Sequence, residues 1–101
     1  MRIIVMLRPT NRQGTKTAYT NYRKMLVAEG FTLLQPEVFM RVSPTRRAAE
    51  ALLEHLREDV PPTGSICALT LTERQYASVT WLTGGPDRQE QLIGSRRQVE
   101  L

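Results

Sequence analysis

The 101-residue sequence predicts an α+β fold whose elements follow the order strand, helix, strand, strand, helix, strand. Residues 3–7 form a continuous apolar run with β-branched members, which is typical of a strand buried on both faces. Residues 66–71 form a second run with strand character. Between these runs lie two segments whose apolar residues recur at helical spacing. The sequence therefore predicts helices that alternate with the strands of one sheet.

The segment after the first strand predicts a helix from Thr15 or Thr17 to about residue 28. A turn-forming segment precedes it, a threonine hydroxyl suits its N-cap, and Gly30 suits its C-terminal stop. One face of this helix is apolar and contains Ala18, Tyr22, Met25 and Leu26, with Tyr19 at its border. We expect Tyr19 and Tyr22 to pack in the core or in a dimer seam rather than to stack on bases.

Two strand-like runs follow, at residues 31–35 and 38–42. Pro36-Glu37 interrupts them, so the region is either a tight hairpin or one bent strand with a bulge, because proline cannot donate to a strand ladder. Ser43 supplies a capping hydroxyl and Pro44 suits the first position of a second helix. The apolar stripe of that helix consists of Ala49, Leu52, Leu53 and Leu56.

The last third of the chain predicts one more regular strand and an extension. After the run at 66–71, residues 72–75 have the pattern of a capping box that opens a short helical turn. Residues 79–82 and 98–101 have strand character and predict a short C-terminal β extension over about 79–101. The complete order is that of a single ferredoxin-like βαββαβ domain over residues 1–101, an arrangement that many functions share.

Length and composition restrict the class of protein. A domain of about 100 residues buries roughly 60–70% of its unfolded surface, which favours a homodimer. The single Cys67 excludes an intrachain disulfide and fits a reducing compartment. The apolar stretch after Met1 is too short for a signal peptide or a membrane span. We therefore expect a cytoplasmic protein with no membrane partner.

Charge is distributed unevenly along the chain. Residues 1–47 hold nine Lys or Arg and two acids, a net +7, whereas residues 48–101 hold five and eight, a net −3, which together give the total of +4. Such asymmetry indicates a polyanionic partner, of which nucleic acid is the commonest. Guanidinium groups near strand ends and helix starts are suited to phosphate. The predicted nucleic-acid-binding residues are Arg8, Arg12, Lys16, Arg46 and Arg47.

The sequence contains no pattern of catalytic residues. His55 is the only histidine and lies among Glu54, Arg57 and Glu58 in a predicted helix, so we expect a solvent-facing side chain rather than a metal ligand. Cys67 has no obvious histidine partner, so we expect a small core residue rather than a nucleophile. No acid precedes Glu29. We therefore predict no catalytic residue, no metal-binding residue and no cofactor.

Four colinear stretches give the chain a resemblance to a known family. They are residues 1–6 with Pro9-Thr10, residues 18–31 with their Tyr-Arg-Lys-Met-Leu and Glu-Gly-Phe patterns, residues 34–39 with Leu-Gln and Val-Phe, and residues 61–76. On these stretches the chain resembles the CRISPR-associated protein 2 family, the small partner of the CRISPR integrase in the spacer-integration complex. The resemblance is closest to the type II branch.

The resemblance implies a ferredoxin-like homodimer that bridges two integrase dimers and holds prespacer duplex DNA across its basic face. It also implies a C-terminal strand that contacts the partner, here at Arg97, Val99 and Leu101. Many members of the family are described as metal-dependent endonucleases, with the metal held by an aspartate at the end of strand one.

This sequence departs from the family pattern at that position. It reads Leu7-Arg8-Pro9-Thr10, and two guanidinium groups in place of two carboxylates would repel a cation. We expect a DNA-binding scaffold, with Mg²⁺ only if nuclease activity is retained. The alternatives are a metal-dependent endoribonuclease or endodeoxyribonuclease, in which Glu37 replaces the missing acid, and a small toxin-like binding module without an integrase.

Overall fold

Four strands form one antiparallel sheet in the computed structural model of the chain, which describes residues 1–10 and 15–85. The two longer helices contribute to a core on one face of this sheet. The strand order β2-β3-β1-β4 confirms the predicted ferredoxin-like α+β class. In chain order, the elements are β1 (Arg2–Arg8), α1 (Thr15–Ala28), β2 (Thr32–Gln35), β3 (Val38–Val42), α2 (Arg46–Leu56), β4 (Ser65–Leu71) and α3 (Glu73–Ala77).

Strand β1 is central and is buried on both faces, as predicted. It pairs with β3 along one side and with β4 along the other. Ile3 and Val5 point toward the helices and are 0% and 1% exposed. Ile4 points to the opposite face, which we call the open face because α1 and α2 do not contribute to it, and it is 7% exposed. A strand that is paired on both sides and apolar on both faces has little freedom to change register.

The tyrosines of α1 lie in the core, which confirms their predicted packing role. Tyr19 and Tyr22 are 1% and 3% exposed and join Leu26 and Phe31 in one buried cluster. The Tyr22 hydroxyl donates a 2.8 Å hydrogen bond to the carbonyl oxygen of Leu56 at the end of α2. Burial raises the pKa of Tyr22 above its usual value, so the hydroxyl keeps its proton and remains a donor.

The region between α1 and α2 is a hairpin, which is the first of the two alternatives left open by the sequence, rather than one bent strand. Strands β2 and β3 pair antiparallel, with a shift of register between Leu33 and Gln35. Glu37 adopts the left-handed conformation, with φ of 67°, in the turn that joins them. A left-handed residue other than glycine is uncommon, and a specific contact is needed to hold it.

The predicted start of α2 at Ser43-Pro44 is wrong. Thr45 is the N-cap, and its Oγ1 accepts a 3.0 Å hydrogen bond from the Ala48 N–H. The Ser43 N–H instead donates to the Met1 carbonyl oxygen at 2.8 Å. Because Ser43 still continues the contact between β3 and the start of β1, the helix begins only after it.

The chain after β4 agrees only in part with the sequence prediction. The capping box at Thr72 and Gln75 is formed and opens α3, as predicted. Residues 79–82 do not form the predicted strand: the N–H groups of Ser78 and Val79 still bond back to Gln75 and Tyr76, and no strand within residues 1–10 and 15–85 pairs with this segment. The predicted strand at 98–101 lies outside the described residues. Among those residues, no helix has the length and apolar character needed to span a membrane.

The predictions for Cys67 and His55 have different outcomes. Cys67 is exposed, so the predicted core position is wrong. It pairs with Met6 in the register of β4, which places it on the open face, and among the described strands β4 has a neighbour on one side only. His55 is exposed as predicted, and its ring nitrogens lie 3.1 Å and 3.4 Å from the carboxylates of Glu29 and Glu58.

A matched pair of glycine substitutions tests the packing at the start of β4. Gly64 and Gly84 have φ of +83° and +74°, so alanine at either position costs about 1–2 kcal/mol in backbone strain. A Cβ at Gly64 would also overlap the Tyr19 hydroxyl and lie 2.6 Å from the Arg8 carbonyl oxygen, whereas Gly84 has open space. We expect Gly64→Ala to lower the free energy of unfolding in urea by about 1–3 kcal/mol more than Gly84→Ala. Equal losses would contradict the close approach at Gly64.

Candidate nucleic-acid interface

Arg8 is the last residue of β1 and is exposed. Its Cα pairs with that of Ser65, the first residue of β4. Side chains alternate along a strand, so Arg8 lies on the open face, on the same side as Ile4 and Met6. Within residues 1–10 and 15–85, Arg8 forms no ion pair with a carboxylate. Its charge is therefore available to an external anion.

Lys16 lies at the same end of the sheet as Arg8. It is exposed and occupies the first turn of α1. The preceding residue, Thr15, is buried and donates from Oγ1 to the Thr10 carbonyl oxygen at 3.4 Å. The start of α1 is thus attached to the backbone two residues beyond Arg8, and the structure brings these two predicted cations to one end.

Arg46 and Arg47 lie at the other end of the sheet. They open α2 just after Ser43, which bonds to Met1 beside the first residue of β1. Strand β1 has seven residues, and at about 3.3 Å per residue its two ends are roughly 20 Å apart. The predicted basic residues therefore form two groups rather than one continuous patch in a single chain. Predicted residues Arg12, Arg97, Val99 and Leu101 lie outside the described part of the chain.

Ion pairing separates the basic side chains into two sets. Those with a carboxylate within 4.0 Å are Arg2, Arg23, Arg41 and Arg57. Those without such a partner among the described residues are Arg8, Lys16, Lys24, Arg46, Arg47 and Arg74. Every described residue that was predicted to bind nucleic acid belongs to the second set. An unpaired surface cation has no internal ion pair to lose when it meets a phosphate.

Sequence reasoning did not select Lys24 and Arg74. Lys24 is exposed on the outer side of α1, as its position in the helical pattern predicts. Arg74 follows Glu73 in the chain, but Glu73 pairs with Arg2 and leaves Arg74 without a carboxylate. That pairing joins residues 71 positions apart, and no local signal identifies it.

The backbone places Glu37 beside the end of β1. Its carbonyl oxygen accepts a 2.8 Å hydrogen bond from the Leu7 N–H. Its two carboxylate oxygens accept from Nε and Nη2 of Arg23 at 2.9 Å and 2.7 Å, which is a bidentate ion pair. Hydrogen bonding to this carboxylate raises the pKa of Arg23 above its usual value. Glu37 therefore has a structural role in the hairpin, and its oxygens are already occupied.

The side chains described here do not fit a divalent metal ion. Mg²⁺ takes oxygen ligands, chiefly carboxylates and water, in near-octahedral geometry. The end of β1 presents the guanidinium of Arg8, and the nearby Glu37 is neutralised by Arg23. Over residues 1–10 and 15–85, no three His, Cys, Asp or Glu side chains come together in a way that could hold a metal. No reaction step is therefore assigned to a metal at this end of the sheet.

The geometry defines a small ferredoxin-like protein in which cations that pair with no described carboxylate lie at both ends of the sheet. The chain is 36% identical over 88 residues to the CRISPR-associated endoribonuclease Cas2 of Streptococcus mutans serotype c, an alignment that covers 86% of this chain and 81% of that protein. The protein of the same name from Acidovorax ebreus is 32% identical over 96 residues, 94% of each chain. That from Treponema denticola is 29% identical over the full length of both.

The chain therefore belongs to the CRISPR-associated endoribonuclease Cas2 family, which confirms the resemblance seen in the sequence. No family model matches it.

Two substitutions at one position separate the ion pair of Glu37 from its backbone strain. Glu37→Ala removes the Arg23 partner and keeps a Cβ at φ of 67°. Glu37→Gly removes the same partner but accepts that φ without strain. We expect Glu37→Ala to lower the free energy of unfolding by about 1 kcal/mol, because the pair is half-exposed, and Glu37→Gly to restore part of this loss. Urea titration measures both, and a glycine variant less stable than the alanine variant would contradict the assigned strain.

Proposed function

We propose that the protein is the homodimeric scaffold subunit of the CRISPR spacer-acquisition complex, where it binds prespacer duplex DNA and bridges integrase dimers without cutting nucleic acid. The observation that carries this proposal is the unpaired Arg8 at the end of β1, beside an acid that Arg23 already neutralises. A cation at this position attracts phosphate and repels a divalent metal.

The end of the sheet that carries Arg8 is suited to binding phosphate. Arg8 and Lys16 are both exposed there, and Lys16 lies in the first turn of α1, where the helix dipole also favours an anion. Contacts of this kind position a duplex without reading its sequence. A protein that must accept spacers of many sequences requires this sequence-independent mode of binding.

The open face of the sheet is suited to contact with a second copy of the chain. Helices α1 and α2 contribute to the core on the other face, and Val42 and Leu69 on the open face are 54% and 40% exposed. Exposed apolar side chains on a paired sheet are typical of an interface. A two-fold axis through this face would duplicate both basic groups and present four to one long duplex. Contact with the integrase through Arg97, Val99 and Leu101 stays a prediction.

The alternative function is a metal-dependent endoribonuclease or endodeoxyribonuclease. The name shared by the relatives, CRISPR-associated endoribonuclease, favours it. In this chain it would require Glu37 to leave Arg23, or an acid beyond the described residues to reach the end of β1. The scaffold function needs neither change.

A reconstitution separates the two functions. The integrase, a prespacer duplex and a repeat-containing target are combined with and without this chain, and the purified chain alone is incubated with RNA and DNA in Mg²⁺ or chelator. We expect integration to require the chain and to persist with Glu37→Ala, and we expect no cleavage by the chain alone. Integration that proceeds without the chain would overturn the scaffold proposal. Chelator-sensitive cleavage that is lost in Glu37→Ala would establish the nuclease.

A charge-matched pair of substitutions tests Arg8 as a phosphate contact. Arg8→Ala and Arg57→Ala remove the same charge, but Arg57 is paired with Glu54 on the exposed side of α2. We expect only Arg8→Ala to weaken duplex binding, with the slope of log K against log salt reduced by about one for each Arg8 contact. Titrations of labelled duplex at several salt concentrations measure this slope. Equal effects of both substitutions would show that net charge, rather than Arg8, determines binding.

A further inference from the structure

A chain of hydrogen bonds ties the segment after β1 to the loop that enters β4. The Tyr19 hydroxyl donates to the Thr63 carbonyl oxygen at 2.8 Å. The hydroxyls of Thr63 and Thr10 lie 2.8 Å apart, and the Thr15 hydroxyl donates to the Thr10 carbonyl oxygen at 3.4 Å. We call these four residues, Thr10, Thr15, Tyr19 and Thr63, the β1–β4 clasp.

Two residues of the clasp, Tyr19 and Thr15, are buried. The Tyr19 side chain is among the largest that are fully buried, and Thr15 is 3% exposed. Gly64 lets the two loops approach so closely that no side chain fits between the Tyr19 hydroxyl and the Arg8 carbonyl oxygen. The Tyr19 hydroxyl and the Arg8 carbonyl oxygen therefore both lie close to the backbone of Gly64.

Both unpaired cations at this end of the sheet are attached to the clasp through the backbone. Arg8 precedes Thr10 by two residues, and Lys16 directly follows Thr15. The clasp therefore restricts the position of the Arg8 Cα atom relative to the Lys16 Cα atom. Holding binding groups in place before the ligand arrives reduces the entropy that is lost on binding.

We propose that Tyr19 is a positioning residue for nucleic-acid binding. Its hydroxyl, acting through Thr63 and Thr10, holds the backbone of Arg8 and the start of α1 in the relative position in which Arg8 and Lys16 meet the phosphates of one duplex. This proposal rests on the proposed function, because it requires Arg8 to contact nucleic acid.

Tyr22 provides a matched control within the same helix. Its hydroxyl also donates to a backbone carbonyl at 2.8 Å, and its side chain is also buried. That bond joins α1 to the end of α2 and involves neither Arg8 nor Lys16. Tyr19→Phe and Tyr22→Phe each remove one oxygen atom and leave one carbonyl oxygen without its donor.

The test compares Tyr19→Phe, Tyr22→Phe and Arg8→Ala, together with the double variant that combines Tyr19→Phe and Arg8→Ala. Urea unfolding confirms that each variant is folded, and titrations of a labelled DNA duplex at fixed salt give its Kd. We expect the two phenylalanine variants to lose similar stability, while Tyr19→Phe alone weakens binding by about 3- to 10-fold. In the Arg8→Ala background, Tyr19→Phe should cause less further loss than it does alone, because only the Lys16 contact then remains for it to displace.

Thr10→Val breaks the same series of hydrogen bonds at the half-buried Thr10–Thr63 contact and should reproduce the effect of Tyr19→Phe. It also provides the test if Tyr19→Phe does not fold. Equal duplex binding by the two phenylalanine variants, or full additivity with Arg8→Ala, would overturn the positioning role while leaving the Arg8 contact intact. Unchanged binding by Arg8→Ala itself would overturn both proposals, so the two failures are distinguishable.

Discussion

The pairing of β1 on both sides is the constraint on which the rest of the structure depends. Its apolar side chains fill both faces of the sheet, and its neighbours β3 and β4 hold its register along its whole length. With that register set, alternation sends Ile3, Val5 and Leu7 into the core and Arg8 to the open face. A shift by one residue would bury the guanidinium of Arg8 beneath the helices, so core packing also determines that Arg8 is exposed.

Ion pairs that stabilise the fold also determine which cations are available for binding. Arg23 holds Glu37 in a strained turn, Arg2 joins β1 to α3 through Glu73, and Arg41 bonds to the Glu29 carbonyl oxygen at the end of α1. These pairs occupy Glu37, Glu73 and Glu29. The cations without a carboxylate partner among the described residues lie at the two ends of the sheet, on the outer side of α1 and in α3.

The chain belongs to a family named for endoribonucleases, yet its strand β1 ends in arginine rather than in an acid. These two facts are compatible in physical terms. A fold supplies a scaffold, whereas activity depends on the few side chains placed on it. The end of β1 in this chain carries a guanidinium, and the carboxylate of the neighbouring hairpin is held by Arg23. At the end of β1 this chain therefore presents a positive charge rather than an oxygen ligand for a metal ion.

Local patterns in the sequence determined the order of the elements, the buried strand β1 and the capping box of α3, because each depends on side-chain periodicity or on residues three positions apart. The unequal net charge of residues 1–47 and 48–101 was also evident from the sequence. Only the tertiary structure decided which cations are paired, because partners such as Arg2 and Glu73 lie 71 positions apart. It also separated Arg46 from Arg8, exposed Cys67 and moved the start of α2 beyond Ser43. Sheet order and register control all of these outcomes, and they arise from contacts between distant segments that no local pattern encodes.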